Sequence, residues 1–263
     1  MHPPFHSSVD HSLPSLPALR PVSLDRSTTW LERGWRDFAA HPGIGLAYGS
    51  VFAFLGWLLT FGLARFGMGS LILPLAAGFM LVAPFLAVGL YEVSRRREAG
   101  EDVTLAQALR ALGRNGQMAD MGLVLLLAFF VWFQLAMILF ALFFGGTPPA
   151  LDAFFSQVVL APQGAIFLLT GTLVGGAVAA VVFALSVVSM PMLLDRRDVS
   201  ALTAMRTSLR AVWLNRMNMI GWAATLATLG MLGLAAFFVG LAVTLPIAAH
   251  ASWHAYRDLV AED

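Results

Sequence analysis

The segment LLDRRDVSALTAMRTSLRAVWLN, residues 193–215, leaves an apolar run, crosses two arginines and restarts as an amphipathic segment. The segment YEVSRRREAGEDVTLAQALRALGRN, residues 91–115, does the same about a hundred residues earlier. After the arginines, apolar residues recur every three to four positions in both segments, which is the spacing of one helix face. The chain therefore repeats a structural unit, and that unit decides the fold.

The composition indicates that lipid is the solvent of this chain. Of 263 residues, 59% are hydrophobic and 12% are charged, whereas a soluble domain is about 25% charged. The absence of cysteine and lysine excludes disulfides, thiolate metal sites, Schiff-base chemistry and a P-loop lysine. The formal net charge of +1 argues against nucleic acid as a partner. We therefore expect an integral membrane protein.

Apolar runs long enough to cross a bilayer recur along the chain. A hydrocarbon core of about 30 Å requires about 20 apolar residues of helix. Such runs occupy residues 44–64, 71–91, 121–144 and 166–190, and the longer run 219–256 divides into two spans with a tight turn near 230–236. We predict six transmembrane helices. An alternative with five spans, in which 219–256 is one long helix, stays open.

The arginines predict the orientation of these spans. With six spans and an inside N-terminus, fifteen of the sixteen arginines fall on the cytoplasmic side, and Arg65 alone falls outside. By the positive-inside rule, we predict a multi-pass protein of the bacterial inner membrane with both termini cytoplasmic. Residues 1–25 lack the basic-then-apolar order of a signal peptide, and we expect them to form a disordered cytoplasmic tail.

A short amphipathic segment precedes each pair of spans, and aligning Arg36, Arg110 and Arg210 brings the apolar runs that follow into register. We predict an all-α membrane protein whose residues 26–263 form one six-helix transmembrane domain. It comprises three repeats, each an interfacial amphipathic helix followed by a transmembrane hairpin. The repeats cover about residues 26–98, 99–197 and 198–260.

The amphipathic segments also carry start signals and apolar stripes. Thr29 with Glu32, and Thr104 with Gln107, have the spacing of a capping box. The predicted stripes are Leu31, Trp35 and Phe38 in the first segment, Leu105, Leu109 and Leu112 in the second, and Leu202, Met205, Leu209 and Trp213 in the third. We expect these stripes to face the membrane surface.

Prolines and paired glycines predict how the spans pack. One proline interrupts each even-numbered span near its cytoplasmic end, which predicts kinks that shape the bundle, although broken helices are also a transporter feature. Two glycine pairs have the four-residue spacing that lets helices approach closely, within the bundle or in a dimer. These residues are Pro84, Pro191 and Pro246, and the pairs Gly45 with Gly49 and Gly171 with Gly175.

His250 and His254 are the candidate metal or haem ligands, because their i, i+4 spacing places both imidazoles on one helix face. A closed metal site requires a further ligand, for which Glu92 or Asp195 is a candidate. The alternative is an interfacial girdle, in which neighbouring aromatic residues lie at headgroup level and the histidines hydrogen-bond to backbone or to those carboxylates.

The remaining acidic residues give no catalytic assignment. Glu92, Asp120 and Asp195 lie at inner span ends, where we expect salt bridges with nearby arginines, and a proton or cation port is the alternative. No ionisable side chain lies near the middle of any predicted span, which argues against a proton-coupled transporter. No GxSxG, GxGxxG, P-loop or HExxH motif occurs. In the long outer loop, we predict a short helix from Pro149 to Leu160.

Three motifs carry a resemblance to a known family: GWRDFAAHPGIGLAYG (34–49), SMPMLLDRRDVSALTAM (189–205) and HASWHAYRDLV (250–260). Over about residues 26–260, the chain resembles a bacterial family of predicted six-span integral membrane proteins known only as a domain of unknown function. Some members are labelled as related to cytochrome oxidase subunit I, which binds two haems and a copper through six histidines in its spans. The resemblance implies the location and topology, and it transfers no catalytic residue.

We expect a protein without enzymatic activity or a resident cofactor: a structural, accessory or assembly factor that binds membrane lipid, other membrane proteins or a second copy of itself. Two alternatives stay open. One is a small-molecule or ion transporter or channel that uses the kinked even-numbered spans. The other is a haem- or metal-binding accessory protein of the respiratory chain that uses His250 and His254.

Overall fold

The computed structural model describes residues 16–145, 156, 158 and 160–261. Residues 1–15 of the predicted tail and most of the predicted outer-loop helix lie outside these described residues. The α-helices of the described part are α1 (Arg26–Ala40), α2 (Pro42–Arg65), α3 (Ile72–Leu86), α4 (Val88–Glu98), α5 (Leu105–Arg110), α6 (Gln117–Phe144), α7 (Pro162–Ser186), α8 (Ser189–Asp195), α9 (Ala201–Leu214), α10 (Arg216–Ala235) and α11 (Leu241–Leu259). The expectation of an all-helical fold is confirmed for this part of the chain.

Five helical stretches of the described residues are long and apolar enough to cross a membrane. They are Pro42–Arg65, Gly69–Glu98, Gln117–Phe144, Pro162–Asp195 and Arg216–Ala235. The predicted sixth span corresponds to α11, which is not among them because its C-terminal half carries histidines and charged residues. The protein is therefore an integral membrane protein with several candidate spans.

The run 219–256 is not one helix. The chain breaks between α10 and α11 at residues 236–240, slightly later than the predicted turn at 230–236. Phe237 and Phe238 adopt left-handed backbone conformations there, with φ of 50° and 65°. This break contradicts the single-helix version of the five-span alternative.

Proline positions correspond to two of the three expected kinks. The second span breaks at Ala87, three residues after Pro84, and the fourth breaks at Val187 and Val188 before Pro191. By contrast, α11 continues through Pro246. Pro246 cannot donate to the carbonyl of the residue four positions earlier, so it weakens the helix locally without ending it.

α11 is a central helix of the fold. α1 and α2 both pack along it and run antiparallel to it. Gly34 lies against Ala251, and Gly49 lies against Ala242. A Cβ atom at Gly49 would lie only 2.7 Å from the Cα of Ala242, so only glycine permits this approach. The predicted close approach at Gly45 and Gly49 is therefore a contact within the bundle.

The two glycines of the second pair have different surroundings. Gly175 lies against the indole ring of Trp132, whereas an added Cβ at Gly171 would meet nothing within 4 Å. Gly175 thus provides the predicted close contact, and Gly171 leaves the surface of α7 open among the described residues.

α1 differs from the predicted interfacial helix. It begins at Arg26, so the capping box expected at Thr29 does not form. Trp30, Asp37 and Phe38 are buried, while Trp35 is exposed. The reason is that Gly34 lets α1 pack tightly on α11, and this contact covers part of the stripe that was expected to face lipid.

α5 and α9 agree better with the prediction of surface amphipathic helices. The capping box of Thr104 and Gln107 is present, and the Ser200 hydroxyl accepts a hydrogen bond from the backbone of Thr203 at the start of α9. Their buried faces consist mainly of small residues such as Ala108 and Ala204. Their exposed faces carry Leu105 and Leu109 in α5, and Leu202, Leu209 and Trp213 in α9; Leu112, in the short 3₁₀ helix that follows α5, is also exposed.

The helices form two groups. In the first group, α1, α2 and α10 pack on α11, and in the second group, α3, α6 and α7 pack on one another. Contacts between the groups are few where α2 faces α3, and α7 hardly contacts α10. The groups are joined mainly through α4, α8 and α9, near the polar half of α11. We call this part of the molecule the charged end.

The segment before α1 pairs with the C-terminus. Leu19 and Val260 form an antiparallel bridge, with the Arg20 N–H donating to the Leu259 carbonyl at 2.9 Å. The side chain of Asn215 additionally bonds to the backbone of Arg20 and of Val22. Residues 18–23 are therefore fixed to the helical domain, which differs from the disorder that we predicted for residues 1–25.

Candidate functional site

A buried cluster around Asp37 connects three helices at the charged end. Asp37 of α1 is 2% exposed, and its Oδ2 accepts a hydrogen bond of 2.5 Å from the Ser94 hydroxyl of α4. The same oxygen lies 2.9 Å from Nε2 of His254, and Oδ1 accepts from Arg97. Nδ1 of His250 lies 2.8 Å from the Ser94 oxygen. The cluster therefore links α1, α4 and α11 through one carboxylate.

The electrostatics of this cluster favour an ionised carboxylate. Burial by itself raises the pKa of Asp37, but hydrogen bonds from His254 and Ser94, with the charges of the nearby histidines, hold that pKa below its ordinary value. Because the single Ser94 proton goes to the carboxylate, Nδ1 of His250 is assigned as a donor to the serine oxygen. The buried charge is thus compensated from several sides.

The two candidate metal ligands have other partners. His250 and His254 share a face of α11 as the spacing predicts, but they bond to Ser94 and Asp37. Neither Glu92 nor Asp195 joins them. In the part of the chain that the structure describes, no three histidine or acidic side chains are grouped so that they could hold a metal ion.

Glu92 forms a second buried ionic cluster. Its carboxylate is 1% exposed and accepts hydrogen bonds of 2.7 Å from both Arg95 and Arg96, while Arg114 approaches to 3.5 Å. Asp195 lies 3.5 Å from Arg257. These pairs match the salt bridges that we expected at the inner span ends, whereas the third carboxylate considered there, Asp120, is exposed.

Aromatic donors connect α11 to neighbouring helices. The Trp253 indole donates to Glu98 at 2.9 Å, and the Tyr256 hydroxyl donates to Asp195 at 2.8 Å. Both rings are buried, with 1% exposure each. This arrangement differs from an aromatic girdle at headgroup level, since these two rings face protein instead of lipid.

Asp37 was missed by the sequence analysis, although a signal for it exists. Trp30, Gly34, Asp37 and Phe38 have helical spacing, so a single face of α1 carries one carboxylate among apolar and small residues. A charged residue on an otherwise apolar face predicts a buried ion pair. Its partners lie far away in the sequence and could not be identified from it.

An apolar cleft separates the two helix groups away from the charged end. It consists of one cavity of about 430 Å³ between α3, α7, α10 and α11, and another of about 610 Å³ between α2, α3 and the α10–α11 turn. Phe79 and Leu241 line both cavities, which therefore adjoin. No charged side chain of the described residues lines either cavity, in keeping with the absence of ionisable residues in mid-span.

Three hydroxyl groups lie along this cleft without a hydrogen-bond partner. Ser186 and Thr244 line the first cavity, and Thr60 lines the second. Their oxygens are buried and find no partner among the described residues. The cleft is thus apolar with a few free polar atoms, which is the usual composition of a site for a hydrophobic small molecule.

Comparison with known proteins gives a match to a protein family. No curated protein matches the chain, and no solved structure does. The matching family is described as "Predicted integral membrane protein (DUF2189)" and covers residues 72–195, from the start of α3 to the end of α8. This range is narrower than the expected 26–260, since the motifs at 34–49 and 250–260 lie outside it. Over residues 72–195, the chain is therefore similar to a family of integral membrane proteins whose function is unknown.

Proposed function

We propose that the protein crosses the bacterial inner membrane six times, with both termini in the cytoplasm. The pairing of Leu19 with Val260 supports this proposal. Two segments that are hydrogen-bonded to each other lie on the same side of a membrane, so the chain between them crosses it an even number of times. Five crossings do not fit this pairing, and we assign the sixth crossing to α11, whose apolar N-terminal half follows the turn after α10.

The order of helices supports three repeats. A short helix precedes a long apolar helix in α1 with α2, in α5 with α6, and in α9 with α10. The returning helix leads to charged residues each time: α3 continues into α4 with Arg95, α7 continues into α8, which ends at Asp195, and α11 carries Arg257 in its last turn. Fifteen of sixteen arginines then fall on one side, which the positive-inside rule assigns to the cytoplasm.

We further propose that the protein is a non-enzymatic accessory or structural factor that acts by binding membrane lipid at this cytoplasmic surface. The observation that carries the proposal is the exposed face of α5 and α9. Leu109 and Trp213 are 59% and 76% exposed, although each helix has its small residues turned inward. Such a face is suited to insertion among lipid headgroups and acyl chains.

Arginines border this apolar face. Arg110 of α5 and Arg210 of α9 are exposed and have no ion-pair partner among the described residues. They are therefore available to anionic headgroups, for which a cationic side chain near the surface contributes about 1 kcal/mol. Arg36, at the equivalent place in the first repeat, is instead paired with Glu32 at 2.5 Å.

Native mass spectrometry after extraction from mixed phosphatidylglycerol and phosphatidylethanolamine membranes tests this proposal. We expect the wild type to retain phosphatidylglycerol preferentially and the double variant Arg110→Gln/Arg210→Gln to lose most of that preference. Arg36→Gln is the matched control and should retain it, since that arginine already has a carboxylate partner. Equal retention by all three proteins would contradict the role of α5 and α9.

A transporter or channel is the second candidate. It is favoured by the division into two helix groups with a cleft between them, and by the position of Pro84 in the lining of that cleft. Flux of a solute in proteoliposomes, lost on filling the cleft, would support it. The metal- or haem-binding alternative has less support, because His250 and His254 are bonded to Ser94 and Asp37.

A further inference from the structure

We infer that the cleft between the two helix groups is a binding site for the hydrocarbon chain of a membrane lipid that carries a hydrogen-bond acceptor. This inference rests on the proposed membrane location, but it concerns a site separate from the surface of α5 and α9. Four observations carry it: the size of the cleft, its apolar lining, its free hydroxyls and an opening lined by small residues.

The size of the cleft fits a chain better than a protein helix. Its adjoining cavities measure about 430 and 610 Å³, which is the range of small-molecule sites. A helix is about 10 Å across and extends over tens of ångströms, so it requires more room. Within a membrane, acyl chains are the abundant molecules that can enter an apolar cleft at this depth.

Two hydroxyl groups in the cleft, those of Ser186 and Thr244, behave differently from several others in the long helices, including Ser252, which also lines the first cavity but donates to the carbonyl of Ala248. Ser and Thr in membrane helices usually donate to the carbonyl four residues earlier. Thr170, Thr225 and Thr228 do so, at 2.8 to 2.9 Å. Ser186 and Thr244 do not, and Ser186 is 1% exposed. A buried hydroxyl without a partner points to an absent acceptor, and an ester or carbonyl oxygen of a lipid meets that need.

Small residues form the opening through which a chain can enter. α7 and α10 hardly contact each other where both line the first cavity. Ala179 and Ala180 of α7, with Ala224 and Ala227 of α10, line the cavity and are exposed. Side chains of this size leave a lateral gap between the two helices, and this gap faces the bilayer.

Photolabelling of the full-length protein in nanodiscs tests the inference. The probe is a zwitterionic phosphatidylcholine with a diazirine in its acyl chain, and the labelled residues are mapped by peptide mass spectrometry. We expect labels on residues that line the cleft, such as Phe79, Met80 and Leu241. Labels confined to outward-facing residues, such as Phe54 and Leu169, would overturn the inference.

Two variants, each with its own matched control, separate entry into the cleft from non-specific contact. Ala180→Trp fills the opening and should reduce cleft labelling several-fold. Ala177→Trp is the control, because Ala177 is an exposed alanine of α7 that does not line the cavity, and it should label like the wild type. Ser186→Ala should reduce cleft labelling about fivefold, the effect of one lost hydrogen bond, whereas Thr225→Ala should leave it unchanged.

The outcomes distinguish this inference from the proposed function. Arg110→Gln/Arg210→Gln should leave cleft labelling by the zwitterionic probe unchanged, even if it abolishes the preference for phosphatidylglycerol. Loss of that preference without any cleft labelling in the wild type would overturn the cleft site and leave the surface site standing. Equal cleft labelling in wild type, Ala180→Trp and Ser186→Ala would also overturn it.

Discussion

Nε2 of His254 lies 2.9 Å from Oδ2 of Asp37, although 217 residues separate them in the chain. This contact joins the last helix to the first. The Ser94 hydroxyl, 2.5 Å from the same carboxylate oxygen, adds α4 as a third helix. The carboxylate thus fixes three parts of the charged end at one point, on the side of the molecule where the two helix groups meet.

Replacing this carboxylate should destabilise the protein strongly. Asp37→Asn removes the charge that compensates His254 and Arg97, and breaking a buried ionic cluster costs about 3 kcal/mol or more. Thermal unfolding in a mild detergent measures the effect. Glu32→Gln on the same helix is the control and should shift stability by less than about 0.5 kcal/mol, since its pair with Arg36 is exposed. Similar unfolding of both variants would refute this account.

The stability of the protein should depend on pH through Asp37. Its pKa is lowered in the folded state, so its contribution is fully present above the ordinary aspartate pKa of about 3.9 and is lost as the pH falls through the lower folded value. Wild type should therefore lose more stability than Asp37→Asn as the pH falls below about 4. Chemical unfolding at a series of pH values measures this. Parallel curves for the two proteins would rule out a special role for this carboxylate.

Substitution by alanine should have different effects on stability at two glycines. In Gly49→Ala the new methyl group would lie 2.7 Å from the Cα of Ala242 and 2.8 Å from its carbonyl oxygen, and backbone atoms cannot easily move away. We expect a loss of about 2 kcal/mol. Gly171→Ala meets nothing within 4 Å and should be neutral or stabilise by about 0.5 kcal/mol. Thermal unfolding of both variants decides, and a comparable loss in Gly171→Ala would indicate that another surface covers α7.

In the turn between α10 and α11, the same substitution at two adjacent residues should change stability in opposite directions. Phe237 is 78% exposed in a left-handed conformation that asparagine adopts more readily, so Phe237→Asn should raise stability by about 1 kcal/mol. Phe238 shares that conformation, but its ring packs over Gly56. Phe238→Asn should therefore lower stability despite the same backbone relief. Equal effects in thermal unfolding would show that backbone strain alone governs this turn.

Features formed by residues close together in the chain were predictable from the sequence, and features formed by distant residues were not. The capping box at Thr104 was predicted because its residues are neighbours in the chain. The turn near 230–236 was predicted a few residues early, because the glycines suggested it and two phenylalanines form it. α1 was predicted to lie at the interface, and the structure packs it on α11 through Gly34, a contact that no periodicity in α1 specifies.

In the candidate site, too, contacts between neighbouring residues were predictable from the sequence and contacts between distant residues were not. Salt bridges at Glu92 were expected, since Arg95 and Arg96 are three and four residues away on the same helix. The shared face of His250 and His254 was also expected, but their partners were not. Ser94 and Asp37 lie on other helices, and only their packing brings them to α11.

The sequence by itself determined that this chain is a helical membrane protein and where its long apolar helices lie. It did so because solvation by lipid and helix formation depend on residues within one or two turns. Only the tertiary structure decided that Asp37 is the centre of a buried cluster, that the terminal segments pair, and that the two helix groups part to form a cleft. Those features depend on side chains far apart in the chain, which meet only once the helices have packed.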